Sequence, residues 1–169
     1  IFADKAMNEY ASSRSLYLSS ANSINTGRLI PQIGYYVMTG SRLGGKMFDV
    51  VVPSGNFGNI LAAYYAKMMG VNIRKFVCAS NVNDVLARFV ATGIYEPGEK
   101  FFVTNSPSMD IRKSSNVERL LWLLNGGADG DIEKACFETN RLMEDFNSTG
   151  RYELSSEAKE RLFAQFSGG

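Results

Sequence analysis

The clearest indication of the fold comes from residues 47–59, which have the sequence MFDVVVPSGNFGN. Residues 47–52 are almost all apolar, which predicts a strand of the kind that is buried on both faces of a parallel sheet. Pro53 ends this strand, and a glycine-bearing turn follows over 53–58. Residues 57–69 then have the spacing of an amphipathic helix with Gly70 at its end. A strand, a tight turn and a helix in this order begin a β-α-β unit.

The pattern continues on both sides of this stretch. Apolar spacing predicts a helix over 24–39 before it, and a strand over 73–79 and a helix over 84–91 after it. Strands and helices that alternate at this spacing form right-handed crossovers in one sheet. We therefore expect an α/β fold with a three-layer, mostly parallel, Rossmann-like sheet flanked by helices.

The character of the chain changes near residue 101. Helices are predicted over 117–124, 131–146 and 155–166, with no strong strand between them. We place a soft boundary within 107–112. Residues 1–110 would then form the α/β part, and residues 111–169 a helical segment.

Composition excludes several classes of function. The chain has 169 residues and a formal net charge of +1, without the cationic excess of a nucleic-acid-binding protein. It contains no histidine, which excludes Ser-His-Asp and Cys-His catalysis and removes the commonest metal ligand. No stretch approaches the roughly 20 apolar residues of a membrane span. We expect no metal, nucleic-acid or membrane partner.

Two cysteines, Cys78 and Cys136, are too few for a disulfide framework and favour a reducing, cytoplasmic setting. The first residue is Ile1 rather than a methionine, and no signal region follows it. We interpret the chain as a piece from the middle of a longer protein.

The turn over 53–59 is the strongest candidate for chemistry. Glycines let the backbone approach a ligand closely, and the first N–H groups of the following helix lack intrahelical partners. The helix dipole adds partial positive charge at the same place. These features favour an anion, most naturally a phosphate. The alternative is that the glycines only shape the turn.

A second polar cluster, residues 20–28, precedes the predicted helix over 24–39. In a parallel sheet it opens on the same edge as the first turn. Arg28 offers a planar fork to a second phosphate or carboxylate. The alternative is a helix cap with a solvated arginine.

Other polar residues have structural interpretations. Asp84 and Asp110 are interpreted as helix caps, and Glu118 and Arg119 as parts of a solvated helix face. Cys78 lies in a predicted buried strand, where a thiol acts as a small apolar side chain.

Five separate motifs resemble, in order and spacing, those of the threonine synthase family. They are NSIN at 22–25 with RL at 28–29 and PQI at 31–33, VVPSGNFGN at 51–59, NVND at 81–84, SPSMDI at 106–111, and SSN at 114–116 with ERLL at 118–121. The resemblance extends from about Ser19 to Leu121.

The resemblance implies a fold-type II enzyme that uses pyridoxal 5′-phosphate (PLP) to convert O-phosphohomoserine and water into threonine and phosphate. It implies that the phosphate of PLP is held by five consecutive residues: Gly55, Asn56, Phe57, Gly58 and Asn59. It also assigns Ser23, Arg28 and Asn56 to the phosphate of the substrate. The family's Schiff-base lysine lies upstream of Ile1, so this chain contains no catalytic residue and is expected to be inactive without the rest of the enzyme.

Two alternatives remain open at this point. One is a related phospholyase on the same scaffold, which eliminates phosphate and releases a keto acid. The other is a non-enzymatic phosphate-binding module. For a piece of the larger enzyme we expect a marginally stable chain that self-associates through an exposed sheet edge.

Overall fold

The computed structural model describes residues 12–14, 24–98 and 100–169. The helices are α1 (Thr26–Arg42), α2 (Gly58–Met68), α3 (Val85–Thr92), α4 (Val117–Leu124), α5 (Ile132–Thr149) and α6 (Ser156–Gln165). The strands are β1 (Phe48–Pro53), β2 (Ile73–Ala79), β3 (Ile94–Tyr95), β4 (Tyr152–Glu153) and β5 (Phe166–Gly168). Short 3-10 turns cover Pro107–Met109 and Gly127–Asp129. Every helix and strand predicted within the described residues is present, with ends shifted by a few residues, and the short apolar run at 16–18 lies outside them.

The main sheet has three parallel strands in the order β1-β2-β5. Six helices flank it in the described part of the chain. This confirms the predicted α/β fold with a parallel sheet. The carboxyl ends of β1 and β2 lie side by side, because Pro53 pairs with Ala79 in the register.

The third strand of the sheet was not predicted. Residues 166–168 pair with 76–78 of β2, whereas the sequence pattern assigned 166 to the end of a helix. A strand of three residues is too short to show a period. The antiparallel pair β3-β4 was missed for the same reason. The proposed boundary within 107–112 stays a prediction, although the sheet takes β5 from beyond it.

The prediction that β1 is buried on both faces is wrong. Its side chains alternate, with Val50 and Val52 buried and Val51 64% exposed. β1 lies at the edge of the three-stranded sheet, so one of its faces packs on the core and the other is largely uncovered.

One buried cluster joins the sheet to the helices. Its largest fully buried side chains include those of Phe57, Phe76, Phe89, Leu120 and Phe166. Leu120 of α4 thus shares a core with the strands. No helix among the described residues is long and apolar enough to cross a membrane.

Candidate phosphate site at the start of helix α2

The turn between β1 and α2 lies at the carboxyl edge of the sheet. The Ser54 N–H donates to the carbonyl oxygen of Ala79 at 3.0 Å, which fixes the start of the turn to the end of β2. Ser54 is buried, and Gly55 and Asn56 are partly exposed. The turn is therefore anchored at its base and open at its tip.

Phe57 has an unusual backbone conformation. Its φ is 59°, in the left-handed region that bulky residues rarely adopt, and its side chain is fully buried. This residue is the N-cap of α2 and makes no side-chain cap hydrogen bond. The first N–H groups of α2, from Gly58 onward, therefore lack the usual capping side chain and point out of the helix.

A segment that we name the strap, residues 104–111, packs over the turn. A Cβ atom placed on Gly55 would lie 2.6 Å from the carbonyl oxygen of Ser108 and 2.9 Å from Cδ1 of Ile111. Only glycine therefore fits at position 55 while the strap keeps its place.

The tip of the turn is held from the other side by the start of α4. Ser115 Oγ donates to Asn56 Oδ1 at 3.3 Å, and Asn116 Nδ2 donates to the Asn56 carbonyl oxygen at 2.9 Å. Asn116 is completely buried. The Asn56 backbone is thus fixed, and its side-chain oxygen already accepts a hydrogen bond.

Arg119 extends this contact and was missed by sequence reasoning. Its guanidinium donates to Asn116 Oδ1, and its Nη2 donates to the Ile24 carbonyl oxygen at 2.6 Å. The prediction that Arg119 belongs to a solvated helix face is wrong, because the side chain is half-buried between α4 and the segment before α1. No pattern in the sequence indicates a partner 95 residues away.

The side chain of Asn59 is bonded to α1. Its Nδ2 donates to Gln32 Oε1 at 2.9 Å, and its Oδ1 accepts from Tyr36 Oη at 2.5 Å. Gln32 Nε2 in turn donates to the Arg28 carbonyl oxygen at 2.8 Å. These bonds place the second and third turns of α1 beside the first turn of α2, with Arg28 one turn earlier in α1. The two anion-binding segments predicted from the sequence are therefore neighbours.

The residues predicted to bind the substrate phosphate are only partly described. Arg28 lies in the first turn of α1 and is exposed, and Asn56 lies in the β1-α2 turn. Ser23 lies outside the described residues. The predicted cap of α1 is present, since Asn25 Oδ1 accepts from the Gly27 N–H at 2.8 Å.

Asp110 follows the 3-10 turn at its C-cap position, but its side chain does not cap a helix, contrary to the prediction. It follows a single 3-10 turn, and its carboxylate accepts from the Thr104 N–H at 2.7 Å and from Asn81 Nδ2 at 2.8 Å. The pKa of this carboxyl group is lowered, first by the hydrogen bond from the Thr104 backbone. Asp84 is the N-cap residue of α3, as predicted, although its side chain makes no cap hydrogen bond and instead pairs with Arg88 at 2.9 Å.

Together these contacts describe a turn with a fixed base, a backbone held on two sides and a helix start without a capping side chain. Such a helix start can bind an anion through its backbone N–H groups. The nearest lysine of α2, Lys67, lies in the last turn and donates to the Arg74 carbonyl oxygen and to Gln165 Oε1.

Known proteins with similar sequences are threonine synthases and threonine synthase-like proteins. No family model matches the chain. A protein named threonine synthase-like 1 from Homo sapiens is 48% identical over 157 residues, which cover 88% of this chain and 20% of that protein. Threonine synthase from Saccharomyces cerevisiae is 39% identical over 172 residues, which cover 98% of this chain and 32% of that protein.

The fold is also shared with solved structures. The crystal structure of PLP-bound threonine synthase from Brucella melitensis superposes with a TM-score of 0.84 and 36% identity, over 99% of this chain and 35% of that chain. The chain thus spans between 20% and 35% of the length of these three proteins. The resemblance to threonine synthase is confirmed, and the chain corresponds to one segment of such proteins.

Proposed function

We propose that residues 55–59 bind the phosphate of PLP, and that the chain contributes this site to a threonine synthase. The observation that carries the proposal is the start of α2, which has no capping side chain, beside Gly55, which admits no Cβ atom. In the whole protein, the proposed reaction converts O-phosphohomoserine and water into threonine and phosphate. The remaining domains of that protein are then the necessary partners of this chain.

The residues present fit a phosphate group. Gly55, Asn56, Phe57, Gly58 and Asn59 supply consecutive backbone N–H groups at a helix start, where the dipole favours an anion. The Asn59 side chain is bonded to α1, so its proposed part in binding is that of its backbone N–H. Bound PLP would supply an electron sink for negative charge at the substrate carbon.

A second phosphate, that of O-phosphohomoserine, is proposed to bind Ser23, Arg28 and Asn56. The bond from Asn59 to Gln32 supports this proposal, because it places the second turn of α1, one turn after Arg28, against the start of α2. An arginine fork to a phosphate is a charge-assisted contact that fixes orientation as well as charge.

We propose that this chain does not itself perform the covalent chemistry. Lys67 lies about nine residues along α2 from the turn, roughly 14 Å at the rise of a helix, and is hydrogen-bonded to other groups. The Schiff-base lysine is therefore expected elsewhere in the whole enzyme. A cytoplasmic setting is also proposed, in accord with two free cysteines.

The first experiment tests phosphate binding by the chain itself. Calorimetric titration with inorganic phosphate, against potassium chloride at equal ionic strength, should give a saturable signal for phosphate only. A ligand at a hundredfold excess over its Kd stabilises the folded state by about 2.7 kcal/mol, so the melting temperature should rise. A melting temperature that is indifferent to phosphate contradicts the proposal.

The second experiment tests the absence of covalent chemistry. The chain incubated with PLP and reduced with borohydride should carry no pyridoxyl group on a unique lysine, and it should form no threonine from O-phosphohomoserine. A single modified lysine identified by mass spectrometry would show that this chain holds the cofactor covalently.

The related phospholyase is kept as a second candidate for the whole protein. A specific observation favours it: the human relative at 48% identity is named threonine synthase-like, not threonine synthase. Product analysis of the whole enzyme separates the two. Threonine supports the first proposal, whereas phosphate with a keto acid and no threonine supports the second.

A further inference from the structure

We propose that Asp110 is the positioning residue of the proposed phosphate-binding turn at residues 55–59, which we name the phosphate turn. It acts by fixing the strap (residues 104–111) against Gly55. This inference rests on the proposed phosphate site and goes beyond it, because Asp110 itself does not bind the ligand.

The carboxylate of Asp110 joins two segments of the chain. Its Oδ1 accepts from Asn81 Nδ2 at 2.8 Å, from Asn83 Nδ2 at 2.9 Å and from Thr104 Oγ1 at 2.9 Å. Its Oδ2 accepts from the Thr104 N–H at 2.7 Å. Thr104 belongs to the strap, and the two asparagines belong to the loop that follows β2.

The loop after β2 is a firm support for these bonds. Asn81 Oδ1 accepts from the Asn83 N–H at 2.9 Å, which closes a local turn. Asn83 also exchanges two hydrogen bonds with the backbone of Phe102, at 2.9 and 3.0 Å. The strap is thus tied to the same sheet edge that holds Ser54 through Ala79.

The opposite side of the strap packs against Gly55 of the phosphate turn. Ser108 is two residues before Asp110 and Ile111 is one residue after it, and both contact the position where Gly55 would carry a Cβ atom. A shift of Asp110 therefore moves both atoms that confine Gly55. Through Ser108 and Ile111, the carboxylate of Asp110 therefore fixes the position of the turn.

Charge explains why this residue must be a carboxylate. An ionised carboxylate is an acceptor only and has lone pairs for all four of the donors that surround it. An asparagine would place an NH₂ group against at least one of these N–H or O–H groups. A negative charge near an anion site disfavours the ligand, so Asp110 is suited to positioning the turn rather than to binding.

The test compares Asp110→Asn with the matched variant Asp84→Asn in the same chain. Asp84 carries an exposed carboxylate close in sequence to Asn81 and Asn83, but its ion-pair partner is Arg88 of its own helix rather than a residue of the strap. The dissociation constant of inorganic phosphate is measured by calorimetry at a temperature where urea titration shows that every variant is folded. Amide hydrogen exchange of residues 55–59 is measured without phosphate.

Asp110→Asn should weaken phosphate binding at least tenfold and speed amide exchange at residues 55–59, whereas Asp84→Asn should leave both within twofold of the parent. A folded Asp110→Asn chain that binds phosphate like the parent overturns the inference. If the parent itself binds no phosphate, the proposed function fails. Amide exchange then still decides the positioning role: unchanged exchange in Asp110→Asn refutes it.

A second variant covers the case in which Asp110→Asn does not fold. Asn81→Ala removes one of the four donors, together with the Asn81 bonds to Thr104 Oγ1 and the Asn83 N–H, and leaves the carboxylate in place. It should give a smaller effect in the same direction, with a threefold to tenfold loss of phosphate affinity. Unchanged affinity and unchanged exchange in this folded variant also refute the inference.

Discussion

The ring of Phe57, in the phosphate turn, packs against the ring of Phe166, the first residue of the last strand, with centroids 5.7 Å apart. Both side chains are buried, and Phe57 has a φ of 59°. A bulky residue in this region of backbone conformation costs about 1–3 kcal/mol and persists only when its surroundings hold it. Phe166 also contacts Tyr64 and Phe76, so the end of the chain helps to keep the turn in shape.

Phe166→Ala should therefore be strongly destabilising. Removal of a buried phenylalanine ring leaves a cavity and lowers the free energy of unfolding by about 3–5 kcal/mol. Urea denaturation gives the value, and Phe163→Ala, whose side chain is 39% exposed in the same region, is the control with an expected loss below about 1 kcal/mol. Equal losses in the two variants would show that Phe166 has no special part in the core.

Gly55→Ala should weaken phosphate binding at least tenfold. Its new Cβ atom would lie 2.6 Å from the Ser108 carbonyl oxygen, so the strap or the turn must move, at a cost of about 1–3 kcal/mol. Gly34→Ala in α1 is the control, since no atom lies within 4 Å of its added Cβ. That change should raise stability by about 0.5–1 kcal/mol and leave phosphate affinity unchanged. Calorimetry and urea denaturation measure both quantities.

Asn59→Ala should reduce stability without reducing phosphate affinity. The variant loses hydrogen bonds to Gln32 and Tyr36, each worth about 0.5–1.5 kcal/mol, and keeps its backbone N–H. The free energy of unfolding should fall by about 1–3 kcal/mol, with the phosphate Kd within twofold of the parent. Asn140→Ala, on an exposed position of α5, serves as the control. A tenfold rise in Kd would instead place the Asn59 side chain on the ligand.

The two cysteines should differ in reactivity. Cys136 is exposed, whereas burial raises the pKa of the Cys78 thiol from 9.0 to about 12. A thiol reagent at pH 8 should therefore modify one cysteine in the folded chain and two in urea, as counted by mass spectrometry. Rapid modification of Cys78 in the folded chain would show that β2 opens readily.

The same shift predicts a loss of stability at alkaline pH. The unfolded thiol ionises near pH 9.0 while the folded thiol stays protonated up to about pH 12, so this contribution to stability is complete below pH 9.0 and declines above it. Urea denaturation between pH 8 and 11 should show a steeper decline in the parent than in Cys78→Ala. Equal slopes would mean that burial does not raise the pKa of Cys78 above its value in the unfolded chain.

The chain should self-associate at high concentration through the β1 edge. β1 pairs on one side with β2, and Val51 is 64% exposed on its uncovered face. Light scattering coupled to size exclusion should show association that Val51→Glu reduces. Phe137→Glu, which removes an exposed ring from α5, should have no such effect. A monomer at every concentration would contradict this prediction.

Much of the fold was predictable because the decisive signals are local. The apolar run over 47–52 and the helical spacing over 58–68 each depend on neighbouring residues, so hydrophobic periodicity was enough to identify β1 and α2. The glycine-bearing turn between them identified the candidate site for the same reason. Five motifs at family spacing then identified the relatives.

Contacts between residues far apart in the sequence became visible only in the folded chain. Phe166 pairs with Phe76 in the sheet. Arg119 donates a hydrogen bond to the Ile24 carbonyl oxygen, and the Asp110 carboxylate accepts hydrogen bonds from Asn81 and Asn83. Sequence spacing carries no information about a partner 29 or 95 residues away, because that distance is set by how helices and strands pack. Local sequence signals were enough to predict a glycine-bearing turn between β1 and α2, because they depend on neighbouring residues, whereas packing set which distant side chains hold that turn in shape.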